Sequence, residues 1–133
     1  MSLTVNYLSG TKFKVTCRNH SIITDQLISE EGTDKGMTPV ELLNASLSAC
    51  QAYYASLFLR RHIQDVTGLE VRCTWNYSES PHRVGVINLT VGPPRVLTKQ
   101  VKIGLLRSIE HCTIKNTLKH PPEISIGMDD KFL

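Results

Sequence analysis

Four cysteines, Cys17, Cys50, Cys73 and Cys112, are the residues of this 133-residue chain with the clearest capacity for chemistry, because a thiolate is both a nucleophile and a redox centre. At 4 of 133 residues, about 3%, they fall well below the content of disulfide scaffolds. No two of the cysteines form a CxxC pair, so their spacing does not indicate a zinc ribbon. In a reducing compartment such thiols stay free unless a reaction uses them.

The four cysteines have different sequence surroundings. Cys73 alternates with polar residues two positions before Trp75, which predicts a core position. Cys17 ends a predicted strand beside Arg18, whose guanidinium could lower its pKa, although a structural role is favoured. Cys50 lies within the small-residue run SACQA, which leaves room for a substrate or a second chain, with core packing as the alternative. Cys112 stands at the start of a predicted short helix, where free N–H groups favour a thiolate, and so has the best intrinsic case for reactivity.

Length and charge narrow the class of protein. A chain of 133 residues fits one domain spanning 1–133, and 41% hydrophobic residues indicate a packed core. A net charge of +3 is too mild for a dedicated nucleic-acid-binding protein. No apolar run of 18 residues and no signal peptide are present, so we expect a soluble, cytoplasmic protein with no membrane partner.

The first third of the chain predicts an antiparallel meander. Three alternating runs, 3–8, 11–17 and 20–25, are separated by the pairs Ser9-Gly10 and Arg18-Asn19, which are typical of hairpin turns. A charged, glycine-containing loop is predicted over 29–36.

A long helix follows this loop. Thr38 as the N-cap, Pro39 at the first helical position and Glu41 as the partner in a capping box predict its start. Because no Gly or Pro lies between Val40 and Val66, the helix should reach about residue 64. Apolar residues on most of its sides predict a central, buried helix, with one stripe made of Val40, Leu43, Leu47, Cys50, Tyr54 and Leu57.

The rest of the chain predicts two strands (69–77 and 83–91), a helix (98–111), a short helix (112–118) and, after Pro121-Pro122, a last strand (123–128). The order βββ, α, ββ, α, β indicates an α+β fold.

Several motifs together resemble those of the OsmC/Ohr family, the osmotically inducible and organic hydroperoxide resistance proteins, and in particular its less characterised branch. They are GMTPVELL at 36–43, SAC at 48–50, HCTI at 111–114 and PEI at 122–124. The resemblance covers essentially the whole chain. It implies antiparallel sheets around a long central helix, in an intertwined homodimer with two active sites at the interface.

The family resemblance also implies a reaction, the thiol-dependent reduction of organic hydroperoxides. Cys50 would be the peroxidatic cysteine and Cys112 the resolving one, with no bound cofactor and an external dithiol as reductant. Arg18, in the opening hairpin, would steady the thiolate. Peroxidase members pair that arginine with a glutamate ten positions before the cysteine; here that position holds Val40, and the nearest carboxylate is Glu41.

Two other functions remain open at this stage. The missing glutamate at position 40 allows a non-catalytic protein of the same fold that binds an apolar or acyl-bearing small molecule. A metal site built from Cys17, His20, His111 and Cys112 is a weaker alternative, because these residues lack the spacing of known zinc motifs.

Overall fold

The computed structural model describes residues 1–130, in which strands and helices follow the order predicted as far as the short helix. The strands are β1 (Thr4–Ser9), β2 (Lys12–Cys17), β3 (His20–Thr24), β4 (Glu70–Ser78) and β5 (Arg83–Gly92). The helices are α1 (Pro39–His62), α2 (Lys99–Ser108) and α3 (Thr113–Lys119), with 3₁₀ turns at Ile28–Glu30 and Ile109–His111. The fold class is α+β, as predicted.

The chain divides into two compact units, each made of two separate segments. The first unit comprises residues 1–48 and 72–90, and the second comprises residues 49–71 and the chain from residue 91 onward. The single domain expected over 1–133 stays a prediction.

Strands β1, β2 and β3 of the first unit form the antiparallel meander in sequential order. Tyr7 pairs with Phe13 across β1 and β2, with their rings edge to face at 5.5 Å, and Cys17 pairs with His20 across β2 and β3. Gly10 turns the first hairpin at a φ of 55°, which glycine adopts without steric cost. Arg18 turns the second at a φ of 53°, a conformation uncommon for a residue with a Cβ atom.

A buried carboxylate ties the loop after β3 to the meander. Asp25 is 1% exposed and accepts hydrogen bonds from the hydroxyl of Thr11, the N–H of Gln26 (2.7 Å), the N–H and hydroxyl of Thr33 (3.3 and 2.5 Å) and the N–H of Lys35 (3.0 Å). These bonds, led by the one from Thr11, hold the pKa of Asp25 well below its ordinary value. The loop therefore folds around the carboxylate of Asp25, whose charge is stabilised by hydrogen bonds from uncharged hydroxyl and N–H groups.

The capping box at the start of α1 is confirmed. The side chain of Glu41 accepts from the N–H of Thr38 (3.0 Å), and the hydroxyl of Thr38 accepts from the N–H of Glu41 (3.2 Å). Together these bonds satisfy two donors that the helix start leaves without partners. Helix α1 ends at His62, two residues before the predicted end.

The buried face of α1 differs from the predicted stripe. It runs through Asn44, Leu47, Gln51, Ala55 and Leu59. Of the predicted stripe only Leu47 is buried, Leu43 is 38% exposed, and the other members are half-buried. The prediction was wrong because it counted apolar residues only, and two of the buried positions are amides with hydrogen-bond partners. Asn44 donates to the carbonyl of Val40 (2.9 Å) and accepts from the thiol of Cys73 (3.8 Å) within the first unit.

The second unit has its own apolar core. Ala55 and Leu59 of α1 pack with Leu105 of α2, and partly buried side chains such as Phe58 and Val101 surround them. Gly104 lets the two helices approach, because a Cβ atom there would lie 2.5 Å from the Phe58 ring.

Strands β4 and β5 form a two-stranded sheet, and exposed and half-buried residues alternate along β4 from Glu70 to Asn76 as predicted, whereas Tyr77 is exposed. The last strand, predicted over 123–128, is not formed: the segment makes no ladder with any described strand. Ile124 (79%), Ile126 (94%) and Met128 (68%) are exposed. Alternation alone cannot make a strand, because a strand needs a partner for its backbone groups.

Within residues 1–130, no helix has the length and apolar character needed to cross a bilayer.

Candidate active site

Cys50 and Cys112, 62 residues apart in the sequence, lie together in the second unit, where the side chain of Cys112 hydrogen bonds to that of Cys50. Cys50 projects from the middle of α1 and is partly exposed. Cys112 is completely buried between the Ile109–His111 turn and α3. Both thiols are free.

Cys112 is also the N-cap of α3, a position usually held by Ser, Thr, Asp or Asn. Its sulfur accepts a hydrogen bond from the N–H of Lys115 at 3.3 Å, and its own N–H donates to the carbonyl of Ile109 at 3.2 Å. Both bonds fix the sulfur of Cys112 at the junction of the turn and the helix.

The surroundings of Cys50 favour its thiolate. Burial raises the pKa of Cys50, but hydrogen bonds from the N–H of Ile114, the thiol of Cys112 and the N–H of Thr113 outweigh that effect, so the pKa lies below its ordinary value. The sequence indicated that the free N–H groups at the start of α3 would act on Cys112. The N–H groups of Lys115 and Ile114 do act on Cys112, and those of Ile114 and Thr113 also act on the sulfur of Cys50.

The surroundings of Cys112 favour its neutral thiol. Burial raises the pKa of Cys112, and the hydrogen bond to Cys50 raises it further because a donor must keep its proton. The N–H groups of Lys115 and Ile114 oppose this rise in the pKa without reversing it. One sulfur of the pair is thus prepared as the nucleophile and the other as a proton-bearing neighbour.

Gln51 belongs to the site, although in the sequence it stands out only as a member of the small-residue run SACQA. It is 4% exposed, and its Nε2 donates to the carbonyl of Ile109 at 3.3 Å. A glutamine four residues from both Leu47 and Ala55 lies on the same helix face as these apolar residues. That position was the signal that could have identified a buried amide.

The other two predicted site residues, Arg18 and Glu41, belong to the first unit. Arg18 is exposed at the turn between β2 and β3. Glu41 is half-buried and engaged in the capping box with Thr38. Val40, at the position of the family's glutamate, is half-buried in the first turn of α1.

The remaining cysteines have structural contacts. The thiol of Cys17 donates to the carbonyl of Ser2 at 3.6 Å, beside a cavity of about 420 Å³ lined by Met1, Ser2, Leu3, Cys17 and Arg18. Cys73 is half-buried rather than a core residue, and its thiol donates to Oδ1 of Asn44 at 3.8 Å. In the part of the chain that the structure describes, no three His, Cys, Asp or Glu side chains converge on a point where they could hold a metal ion.

The arrangement can support thiol chemistry in two steps. A thiolate at Cys50 can attack an electrophile, and the neighbouring thiol of Cys112 can then attack the modified sulfur.

Comparisons with known proteins agree with this fold. The family model described as OsmC-like protein matches residues 32–127. No curated protein sequence matches the chain significantly.

Solved structures of similar fold come from several bacteria. A protein of Psychrobacter arcticus 273-4 named for an osmotic stress and detoxification response superposes with a TM-score of 0.78 at 19% identity, over 88% of this chain and 87% of that one. An OsmC-like protein of Mycoplasma pneumoniae superposes with a TM-score of 0.72 at 19% identity, over 90% of this chain and 87% of that one. An organic hydroperoxide resistance protein of Legionella pneumophila superposes with a TM-score of 0.67 at 11% identity, over 89% of this chain and 88% of that one.

At these identities the solved structures establish the fold, and the family model, which spans more than half of the chain, establishes the family. The chain belongs to the OsmC-like protein family.

Proposed function

We propose that the protein is a thiol-dependent peroxidase that reduces organic hydroperoxides, with Cys50 as the peroxidatic cysteine and Cys112 as the resolving cysteine. The observation that carries this proposal is the hydrogen bond from the thiol of Cys112 to Cys50, combined with opposite pKa shifts at the two sulfurs. The description of the Legionella relative as an organic hydroperoxide resistance protein supports the choice of electrophile.

In the first proposed step, the thiolate of Cys50 attacks the terminal oxygen of the hydroperoxide. The S–O bond forms as the O–O bond breaks, and the leaving alkoxide takes a proton from solvent to become the alcohol. Cys50 is thereby oxidised to a sulfenic acid, and the peroxide is reduced by two electrons. The N–H groups of Ile114 and Thr113 favour this step because they stabilise the reactive thiolate.

In the second step, the sulfur of Cys112 attacks the sulfenic acid. A disulfide forms and water leaves, carrying the hydroxyl of the sulfenic acid and the proton of the Cys112 thiol. An external dithiol then reduces the disulfide by exchange and becomes a disulfide itself. Such a cycle needs no bound cofactor and suits the cytoplasm, where thiols are kept reduced.

Arg18 is proposed as the cation that steadies the Cys50 thiolate, as the family resemblance implies. A guanidinium keeps its charge at any physiological pH and donates several hydrogen bonds, which suits this role. Glu41 is not needed in the proposed mechanism, because the capping box accounts for its carboxylate.

The proposed functional unit is a homodimer. Large apolar side chains of the first unit are exposed in the single chain, including Val5 (52%), Tyr7 (63%) and Ile22 (46%), and a second chain would cover such a surface. Sedimentation equilibrium of the reduced protein tests this, with a mass of twice 14.9 kDa expected.

The peroxidase proposal is tested by titrating the reduced full-length protein with cumene hydroperoxide. Two thiols per chain should be lost, and peptide mass spectrometry should identify a Cys50–Cys112 disulfide. Cys112→Ser should stop at a Cys50 sulfenic acid that dimedone traps, whereas Cys50→Ser should consume no peroxide. Cys73→Ser is the matched control and should behave as the wild type.

The same titration distinguishes the peroxidase from the ligand-binding alternative. If all four thiols remain after excess hydroperoxide, the peroxidase proposal is wrong.

A further inference from the structure

Gln51 connects helix α1 to the segment that carries Cys112. The residue follows Cys50 directly, and its buried side chain donates from Nε2 to the carbonyl oxygen of Ile109 at 3.3 Å. Ile109 is 58 positions away in sequence, at the start of the 3₁₀ turn that ends at His111. The bond therefore joins two elements that meet only through the fold.

The oxygen that Gln51 contacts is also bonded to Cys112. The N–H of Cys112 donates to the carbonyl of Ile109 at 3.2 Å, so Gln51 and Cys112 share one acceptor. A carbonyl oxygen has two lone pairs and can accept both bonds. Gln51, which follows Cys50, is therefore linked through the carbonyl of Ile109 to the backbone of Cys112.

A second bond supports the same junction. The hydroxyl of Ser108 donates to the carbonyl of Tyr54 at 3.5 Å, one helical turn along α1 from Gln51. This bond and the Gln51 bond at 3.3 Å are both long, and together they join the end of α2 and the Ile109–His111 turn to α1.

We propose that Gln51 is a positioning residue, whose side-chain amide holds the Ile109–His111 turn against α1 so that the thiol of Cys112 and the N–H groups of α3 stay at the sulfur of Cys50. The inference rests on the proposed function in that it assigns Gln51 a part in preparing the peroxidatic cysteine. Its physical basis is that hydrogen bonds weaken steeply with small displacements, so donors at a thiolate must be held by their own supports.

A structural role in the core alone makes a different prediction. If Gln51 merely fills space, its replacement lowers the melting temperature and leaves the titration of Cys50 where it was. If it positions the donors, its replacement moves the titration of Cys50 toward higher pH. The two roles thus differ in a quantity other than stability.

The test compares Gln51→Met, which keeps the length of the side chain and removes the amide, with Leu59→Val. Leu59 is fully buried in the core of the second unit, against which Ile109 also packs, so shortening it lowers stability and leaves the hydrogen bonds of the Ile109–His111 turn in place. In each full-length, reduced protein the alkylation of Cys50 by iodoacetamide is followed from pH 5 to 10 by peptide mass spectrometry. Circular dichroism gives the melting temperature of each.

The expected result is a higher alkylation midpoint in Gln51→Met, with a rate at pH 7 that is about three- to tenfold lower, as a rise of roughly half a pKa unit to one unit gives. Leu59→Val should show a lower melting temperature and the wild-type midpoint. Equal midpoints in all three proteins, or equal shifts in both variants, would overturn the proposal. If Gln51→Met does not fold, Gln51→Asn, whose amide is one carbon too short for Ile109, is judged by the same criteria.

No peroxide enters this measurement, so its outcome is separate from that of the peroxidase test. If the wild-type protein fails to reduce cumene hydroperoxide, the proposed function is wrong. The alkylation midpoints still decide whether Gln51 positions the donors at Cys50.

Discussion

The thiol of Cys112 hydrogen bonds to the sulfur of Cys50, and the bond moves the pKa values of the two groups in opposite directions. The donor must keep its proton, and the acceptor is stabilised as the thiolate. Because neither sulfur can be changed without affecting the other, substitutions at Cys112 report on Cys50.

The first prediction concerns this bond. Cys112→Ala removes the donor and should raise the pKa of Cys50, whereas Cys112→Ser keeps a hydroxyl donor and should raise it less. The pH dependence of Cys50 alkylation measures both. An unchanged midpoint in Cys112→Ala would show that the backbone N–H groups of Ile114 and Thr113 alone set the pKa.

The second prediction separates the charge of Arg18 from its backbone conformation. Glycine tolerates the φ of 53° at this position, so Arg18→Gly should fold normally while the guanidinium is lost. The proposed mechanism then expects a fall of at least about tenfold in the rate of peroxide reduction, since a hydrogen bond to a charged group contributes about 1.5–3 kcal/mol.

Arg18→Lys is the control for this second prediction, because it retains a cation and should lose less activity. Full activity in Arg18→Gly would remove Arg18 from the mechanism.

The third prediction tests the capping box. Thr38→Ala should lower the free energy of unfolding by about 1 kcal/mol, because the N–H of Glu41 loses its acceptor. Glu41→Gln should preserve stability, since an amide oxygen can still accept from the N–H of Thr38, and it should also preserve peroxide reduction. Urea denaturation and the peroxide assay measure these effects; a loss of activity in Glu41→Gln alone would restore Glu41 to the site.

The fourth prediction concerns the pH dependence of stability. The pKa of Asp25 is depressed in the folded state, so its contribution to stability is complete above the unfolded pKa, about 3.8, and is lost as the pH falls below that value. In Asp25→Asn this part of the acid destabilisation should disappear, and the melting temperature at pH 7 should fall by several degrees because an amide NH₂ would face other donors.

Asp34→Asn is the control for Asp25→Asn, since this exposed residue has a φ of 52° that asparagine also tolerates. Its melting temperature should match that of the wild type.

The fifth prediction concerns close backbone packing in the first unit. A Cβ atom at Gly36 would lie 2.2 Å from the carbonyl oxygen of Ile23, so Gly36→Ala should lower the free energy of unfolding by about 2 kcal/mol or more. A Cβ atom at Gly127 meets nothing within 4 Å, so Gly127→Ala should change stability by less than about 0.5 kcal/mol. Similar values for the two variants in urea denaturation would contradict this account.

Local signals were sufficient to predict most of the fold. The Thr38–Glu41 capping box, the turns at Gly10 and Arg18, and the alternation along β4 each depend on neighbouring residues, and each was predicted correctly. The strand over 123–128 was wrong because pairing depends on a distant partner. Local patterns therefore predict elements better than they predict contacts between elements.

The polar contacts inside the units were outside the reach of the sequence. Asp25 looks like an ordinary residue at a strand end, but its donors come from up to 14 positions away. The position of Gln51 on the helix face of Leu47 and Ala55 indicates burial, but the sequence does not show its partner, which lies 58 positions away. The resemblance suggested that Cys50 and Cys112 act together, and only the fold could show that both sulfurs receive N–H groups of α3.

The complete burial of Cys112 beside the partly exposed Cys50 has a consequence for the direction of reductive exchange. In a disulfide held in this geometry, an incoming thiolate could reach only the sulfur of Cys50, so the mixed disulfide would form there and Cys112 would depart. A thiol of raised pKa is a slow leaving group, so this route would protect the bond from small monothiols. It would favour a dithiol, whose second sulfur can promptly displace the first and release the enzyme.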